Sequence, residues 1–353
     1  MEQKFPVSSL LKEISGYFRN AGFSAYLVGG AVRDFFLKKK ASDWDIATDA
    51  PPQEVMRLFR RTIPTGIEHG TVTIIYKNKH IECTTFRTEA DYTDGRHPAA
   101  VSYAATIETD LARRDFTMNA VAVSLPDGTI IDPFNGRADI RAGRIQTVGS
   151  PIDRFLEDGL RPVRAVRFAA QLGFTVDTGT LQAIPQALHI TKKISIERFR
   201  EEFTKMLACP TPLTGLWLME STGLLNLFIP ELIECRGVGQ GSYHHFDVLE
   251  HSFLVCNACP AGTEHIHIRL AGLFHDIGKP VTRKEAADGS CTFYRHEAVS
   301  EKMTRNIMKR LKYSNVEIEK TAHLVAEHMF HYDPSWTDAA VRRFIVRVGK
   351  ENI

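Results

Sequence analysis

The run Leu27-Val-Gly-Gly-Ala-Val-Arg-Asp34, followed by Ser42-Asp-Trp-Asp-Ile46, constrains this chain more than any other stretch. Side chains along a strand alternate between faces, so Asp43 and Asp45 point one way and Trp44 the other. Two carboxylates on one strand face can share divalent ions. Gly29 and Gly30 permit a tight turn whose backbone approaches a triphosphate closely and offers it N–H groups. Alone, an Asp-x-Asp beside a βα turn is also an ordinary surface feature. Joined at this spacing, the two elements point to nucleotide chemistry.

With 353 residues the chain exceeds one ordinary core, and two or three domains are expected. A net charge of +2 gives no global basicity that would announce a nucleic-acid partner. The distribution is less even, because eleven Lys/Arg stand against six Asp/Glu between Arg137 and Arg200. That local excess suits phosphates or a solvated helical surface. Of the six cysteines only Cys256 and Cys259 form a Cys-x-x-Cys. No second pair lies at finger spacing, so buried thiols are expected rather than zinc. The N-terminus has no apolar leader, and no run of about 18 apolar residues occurs, so a cytoplasmic protein without a membrane partner is expected.

Helical periodicity covers 8–20 and 51–61. Strand patterns fall at 24–28, 44–47, 71–76, 80–86, 120–124 and 129–131. Asp127-Gly128 is a hairpin signal, so the sheet is mixed or antiparallel. Residues 87–110 read as a long loop, a length that is usually functional or disordered. Beyond Pro151 helical patterns take over, and Cys209-Pro-Thr-Pro212 marks a second boundary. The expected architecture is an α+β head over 1–150, an all-α neck over 151–212 and a further all-α domain over 213–353.

Three clusters carry chemistry in the first half. Asp43 and Asp45 suit two divalent ions, and Glu82 on its own strand is a candidate third carboxylate or an outward-facing strand residue. In Arg113-Arg-Asp-Phe-Thr-Met-Asn119 the guanidinium forks suit a triphosphate, while Asp or Asn can bond ribose hydroxyls. In Glu157-Asp-Gly-Leu-Arg161 an Asp and an Arg three apart can share a helix face. Such a pair can form a salt bridge or meet the Watson–Crick edge of a base.

Together with Asp91-Tyr-Thr-Asp-Gly-Arg-His-Pro98, Asp132-Pro-Phe-Asn-Gly-Arg-Ala-Asp139 and Glu197-Arg-Phe-Arg-Glu-Glu202, these runs resemble the ordered motif set of class II tRNA nucleotidyltransferases. These are the CCA-adding enzymes of the DNA polymerase β-like superfamily, and the resemblance spans about residues 20–210. It implies a polymerase β-like head with Mg²⁺ on Asp43 and Asp45, and a neck that reads the incoming base. It also implies that tRNA is held by its acceptor end, with CTP and ATP as substrates and no obligate protein partner. By that resemblance Gly29, Gly30, Arg33, Arg114, Asp115 and Asn119 meet the nucleotide, as do Arg164 and Arg167. Asp158 and Arg161 pair with C or A, and 88–110 matches the family's flexible loop, associated with switching from C to A addition. Proline at 162, where the family usually carries an aliphatic residue, bears on where the neck helix starts. Related readings are an A-adding enzyme, a poly(A) polymerase, or a non-catalytic tRNA-binding protein.

The second half concentrates most of the fourteen histidines. Leu273-Phe-His-Asp-Ile-Gly-Lys-Pro280, with His251 upstream and His296 and His328 downstream, resembles the HD phosphohydrolase superfamily. Imidazole and carboxylate ligands, His251, His275, Asp276, His296 and His328, suit Mn, Ni, Co or Fe. The resemblance implies phosphodiesterase or phosphatase activity, including on 2′,3′-cyclic phosphates. In a different class of reading, the chain is chiefly such a hydrolase or RNA-binding protein, whose head only delivers RNA. The HD pattern normally ends in a later Asp. Asp338 is a possible substitute, although its context reads as a helix start, and an incomplete C-terminus is expected.

Overall fold

Alternating burial along the strands of the first half decides the architecture of the computed structural model, which describes residues 4–39, 43–92, 98–240, 245–285, 291–330 and 335–350. The N-terminal unit comprises 1–161 and 174–193. It opens with α1 (Ser9–Asn20), capped by the Ser8 hydroxyl, then β1 (Ala25–Val28), α2 (Gly30–Phe36), β2 (Trp44–Thr48) and α3 (Pro52–Leu58). Strands β3 (Thr62–Gly66), β4 (Thr71–Tyr76) and β5 (Lys79–Thr85) follow, then β6 (Arg87–Tyr92) and β7 (Pro98–Tyr103). Next come α4 (Ile107–Ala112), β8 (Ala122–Ser124), β9 (Ile130–Ile131), α5 (Gly136–Ala142), β10 (Arg144–Ile145) and α6 (Pro151–Glu157).

Seven strands form one mixed sheet in the order β3-β4-β5-β2-β1-β8-β9. β2 pairs with β1 antiparallel and with β5 parallel, which aligns Trp44 with Ile81 and Asp45 with Glu82. Period-2 alternation then sorts the faces. Ile46, Ile74 and Ile81 are buried in a core with Leu11, Ile14 and Phe18 of α1, and Trp44 packs against it. Asp45 and Glu82 lie on the opposite face. There a second core of Val28, Ala47, Ile107, Leu111 and Ala122 covers part of the sheet.

Two features differ from the sequence reading. β3 contains Pro64, which lacks a ladder donor, and it is tolerated because β3 is an edge strand. The segment read as a loop from 87 forms the β6–β7 antiparallel hairpin and α4 instead. Charge and turn formers hid its pairing, and the tip of that expected loop, 93–97, lies outside the described residues.

Helix α7 (Arg161–Leu172) is followed by β11 (Thr175–Val176) and α8 (Thr178–Thr191), both of the first unit. Pro162 therefore stands in the first turn of α7, where its missing N–H costs no helical bond.

The second unit, 162–173 and 194–353, is helical. It contains α9 (Ile196–Leu207), α10 (Leu213–Ser221), α11 (Leu224–Phe228), α12 (Pro230–Ile233), α13 (Val248–Ala258) and α14 (Ile266–Phe274). Then follow α15 (Lys279–Thr282), the short β12 (Lys284–Glu285) and β13 (Cys291–Thr292), α16 (His296–Arg310), α17 (Asn315–Ala326) and α18 (Asp338–Val348). Arg269, 1% exposed, ties this unit together by donating to the carbonyls of Leu207, Cys209, Cys259 and Pro260. None of the six cysteines forms a disulfide, and burial pushes the Cys256 thiol up to about 12, which fits an inert core residue. No helix among the described residues is long and apolar enough to cross a membrane.

Candidate functional site

In the first unit the site begins at the end of β1. Gly29 has φ 70°, and a Cβ there would lie 3.2 Å from Asp45 Oδ2 and 3.5 Å from an Arg114 guanidinium nitrogen. Glycine is thus required by backbone and by space, and it brings backbone, carboxylate and guanidinium to one point. Gly30 has no such constraint; its Cβ would make only an ordinary 3.5 Å contact with Arg33.

Asp45 is pushed up to about 6, first by burial and then by the charge of Glu82, with Arg114 opposing and Asp43 adding to the rise. A carboxylate crowded by two others is a place where a divalent cation would relieve repulsion. The register pairs Asp45 with Glu82, so the two carboxylates share one face of the sheet, with Glu82 the more exposed.

Around them runs a bonded chain. Arg33, 7% exposed, donates to Asn119 Oδ1 at 2.9 Å and to Asp34 at 2.8 Å. The Asn119 amide donates to Asp115 Oδ1 at 3.1 Å, and the same oxygen accepts the Phe116 N–H. Arg114 donates to Asp110 Oδ2 at 3.0 Å, while Arg113 takes Oδ1 at 2.7 Å. Burial alone would push the Asp110 carboxyl up, yet the guanidiniums of Arg114 and Arg113 outweigh it and hold it below the usual range. Sequence reasoning missed Asp110. Its signal was the spacing, three and four residues ahead of two arginines at the end of one helix.

Asp158 and Arg161 are not side by side on one helix. Asp158 follows α6 with extended backbone (φ −136°, ψ 108°), its Oδ1 accepting the Leu160 N–H, and α7 begins only at Arg161. Arg161 instead bonds Glu157 at 2.6 Å and the carbonyls of Arg154 and Arg113, both at 2.9 Å. Gly159 lies between Asp158 and Arg161, packed where a Cβ would meet the Ile190 carbonyl oxygen at 2.8 Å. In the second unit, Arg167 pairs with the buried Glu202 and with Gln171, and Arg164 lies 3.9 Å from the same Glu202.

The second unit holds the other centre. His251 sits within α13, His275-Asp276 follows α14, His296 opens α16 and His328 follows α17. Asp276, 2% exposed, belongs to two ligand triads, His251–His275–Asp276 and Asp276–His296–His328. Its Oδ2 lies 3.1 Å from His275 Nε2 and 3.6 Å from His251 Nε2; its Oδ1 lies 3.2 Å from His296 and 3.6 Å from His328.

The tautomers follow from the backbone. His275, His296 and His328 Nδ1 stand 2.9, 2.9 and 2.7 Å from the carbonyls of Gly272, Phe293 and Val325. A carbonyl only accepts, so each Nδ1 carries the proton and Nε2 presents its lone pair inward. His296 and His328 then face each other with Nε2 atoms 3.1 Å apart, and among the described residues the buried Asp276 Oδ1 has no hydrogen-bond donor. Lone pairs converging on an unsatisfied carboxylate oxygen fit a cation. Lys279 donates to Asp276 Oδ2 at 2.7 Å, a pair that the three-residue spacing offered and the sequence reading missed, and to Gln240 at 2.6 Å, which depends on tertiary packing. Asp338 opens α18 behind its Thr337 cap, and His328 completes the second triad.

The sequence matches the poly A polymerase head domain over 25–146, the probable RNA and SrmB-binding site of polymerase A over 173–235, and the HD domain over 244–348. The CCA-adding enzyme of Geobacillus stearothermophilus is 49% identical over 211 residues, which is 60% of this chain and 52% of that one. The CCA-adding enzyme of Bacillus subtilis is 50% identical over 187 residues, 53% of this chain and 47% of that one. The chain thus spans about half the length of the curated relatives it matches. Among solved structures, the Bacillus stearothermophilus CCA-adding enzyme in complex with CTP matches with TM-score 0.71 and 32% identity over 96% of this chain and 75% of that one. A tRNA nucleotidyltransferase complexed with a primer tRNA and an incoming ATP analog matches with TM-score 0.52 and 30% identity, over 65% of this chain and 68% of that one.

Proposed function

We propose that this chain, which belongs to the family of CCA-adding tRNA nucleotidyltransferases, completes the 3′ end of tRNA from CTP and ATP without a template, in the cytoplasm. The observation that carries this is the convergence of Gly29, Asp45, Glu82 and Arg114 on one face of the head sheet. The terminal ribose hydroxyl attacks the α-phosphate and pyrophosphate leaves. Mg²⁺ held by Asp43 and Asp45, with Glu82 beside them, supplies charge neutralisation when bound.

Other roles belong to the chain's own residues. Gly29 leaves room for the triphosphate against the backbone, and Arg114, aimed by Asp110, offers it donors. Asn119 and Asp115 act as one hydrogen-bonded unit toward the ribose, and Arg33 holds that unit from behind. Asp158 and Arg161, with Arg164 and Arg167 on α7, serve the base; Arg161 must exchange its Glu157 contact to do so. In this reading 1–150 is the catalytic head, 151–212 the neck and 213–353 the HD-type domain. Incubation with tRNA transcripts ending in the discriminator base, in C and in CC, with CTP and ATP supplied separately, tests it. Each end should accept its next nucleotide. Extension of the CC end alone would make this an A-adding enzyme, and failure of all three would overturn the proposal.

A second activity is favoured by the paired triads on Asp276. Residues His251, His275, Asp276, His296 and His328 suit Mn, Ni, Co or Fe, which when bound activates water for phosphoester hydrolysis.

A further inference from the structure

We propose that Tyr294 and Arg295 form a nucleotide-phosphate subsite at the histidine centre, with Arg295 taking the phosphate and Tyr294 stacking on the base. The inference rests on reading that centre as a metal-dependent phosphohydrolase site. The centre opens into a cavity of ≈ 760 Å³ lined by its ligands together with Lys279, Phe293, Tyr294, Arg295, Glu297 and Met329. That is room for a mononucleotide or a 3′-terminal nucleotide, well beyond what a phosphate ion fills.

The segment ahead of α16 is clamped to a ligand. Both the backbone N–H and the Nδ1–H of His296 donate to the Phe293 carbonyl, at 3.2 and 2.9 Å. Closing this turn puts Arg295 at φ 58°, ψ 30°, the left-handed region that glycine or asparagine occupies more easily. The strained position is filled by a long cationic side chain, and that side chain lines the cavity.

Charge accounting singles out Arg295. Lys279, the other cation lining the cavity, has its nitrogen committed to Asp276 and Gln240 at 2.7 and 2.6 Å. Arg295 has no carboxylate partner among the described residues and faces an incoming anion with its donors open. Beside it Tyr294 is 81% exposed, an aromatic face left in water on the same lining. A guanidinium next to an open aromatic face complements a phosphate next to a base. Because the turn is tied to His296, both groups keep a fixed relation to the ligand cluster.

Calorimetric titration of the full chain with Mn²⁺ present tests this, using adenosine 3′-monophosphate and, separately, inorganic phosphate. Arg295→Ala should weaken both about tenfold, since a charge-assisted contact is lost. Tyr294→Ala should weaken the nucleotide about tenfold and leave phosphate unchanged, the signature of lost stacking. CTP affinity and melting temperature should stay at wild-type values in both variants. Unaltered nucleotide binding by Arg295→Ala, or wild-type protein that binds the nucleotide no better than phosphate, would overturn the subsite while leaving the metal centre standing. Failure of the premise looks different: Mn²⁺ uptake would be the same in wild type and His275→Ala, and the proposal would fall with it.

Discussion

The head site and the histidine centre are built from opposite materials. In the head, acidic side chains come from adjacent strand positions and share one face, and burial together with the charge of Glu82 raises Asp45. In the helical unit a single buried carboxylate sits among four imidazoles, three of which have their inward nitrogens set by backbone carbonyls. All-oxygen ligands suit Mg²⁺, whereas imidazole-rich ligands suit transition metals. The difference teaches that one chain can present two ligand sets that favour different metals.

The comparison can be broken most strongly at Asp276. Asp276→Asn should weaken Mn²⁺ or Co²⁺ binding by at least about 100-fold, beyond the 10–100-fold that loss of an outer partner brings. An equal loss of transition metal in Asp45→Asn, read by calorimetry, would erase the distinction. Gly29→Ala comes next. Its Cβ crowds the Asp45 carboxylate at 3.2 Å on a left-handed backbone and should lower the nucleotide-addition kcat by about 30-fold, because small misplacements of reacting groups are costly. Phosphoester hydrolysis should be unchanged in that variant. Asp110→Asn leaves Arg114 and Arg113 with a weaker acceptor and should raise the KM for nucleotide about fivefold, with kcat less affected. An unchanged KM would show that Arg114 needs no such support.

The smallest effect is on stability. Asp45 is held above its unfolded value, so the folded state binds its proton more tightly and gains stability from it at low pH. That contribution is complete below the unfolded value and is lost as pH rises through about 6. In chelator, the melting temperature of wild type relative to Asp45→Asn should fall between pH 4 and pH 7. A constant difference would place Asp45 in an ordinary environment.

What could be read from sequence divides along the same line. Trp44 and Asp45 are neighbours in β2, so strand alternation alone assigns their faces, and the register with β5 then sets Glu82 beside Asp45, while Asp43 stands just ahead of the strand. The hairpin from Arg87 and the edge strand with Pro64 escaped notice because pairing partners, not local pattern, make them strands. His275-Asp276 was visible as an adjacent pair, yet the sharing of Asp276 between two triads depends on how separate helices pack. Asp158 and Arg161 failed as a helical pair because α6 ends at Glu157, Asp158 is extended and α7 starts only at Arg161.

The central claim is that nucleotide addition resides at Asp43 and Asp45 and is separate from Asp276. Incorporation of labelled CMP into a tRNA transcript lacking CCA, by wild type, Asp45→Asn and Asp276→Asn, tests it most directly. The account predicts that Asp45→Asn loses at least about 1,000-fold in rate, as removal of a metal-binding carboxylate from a two-metal site should, while Asp276→Asn incorporates CMP at the wild-type rate. Incorporation that survives Asp45→Asn and disappears in Asp276→Asn would contradict it.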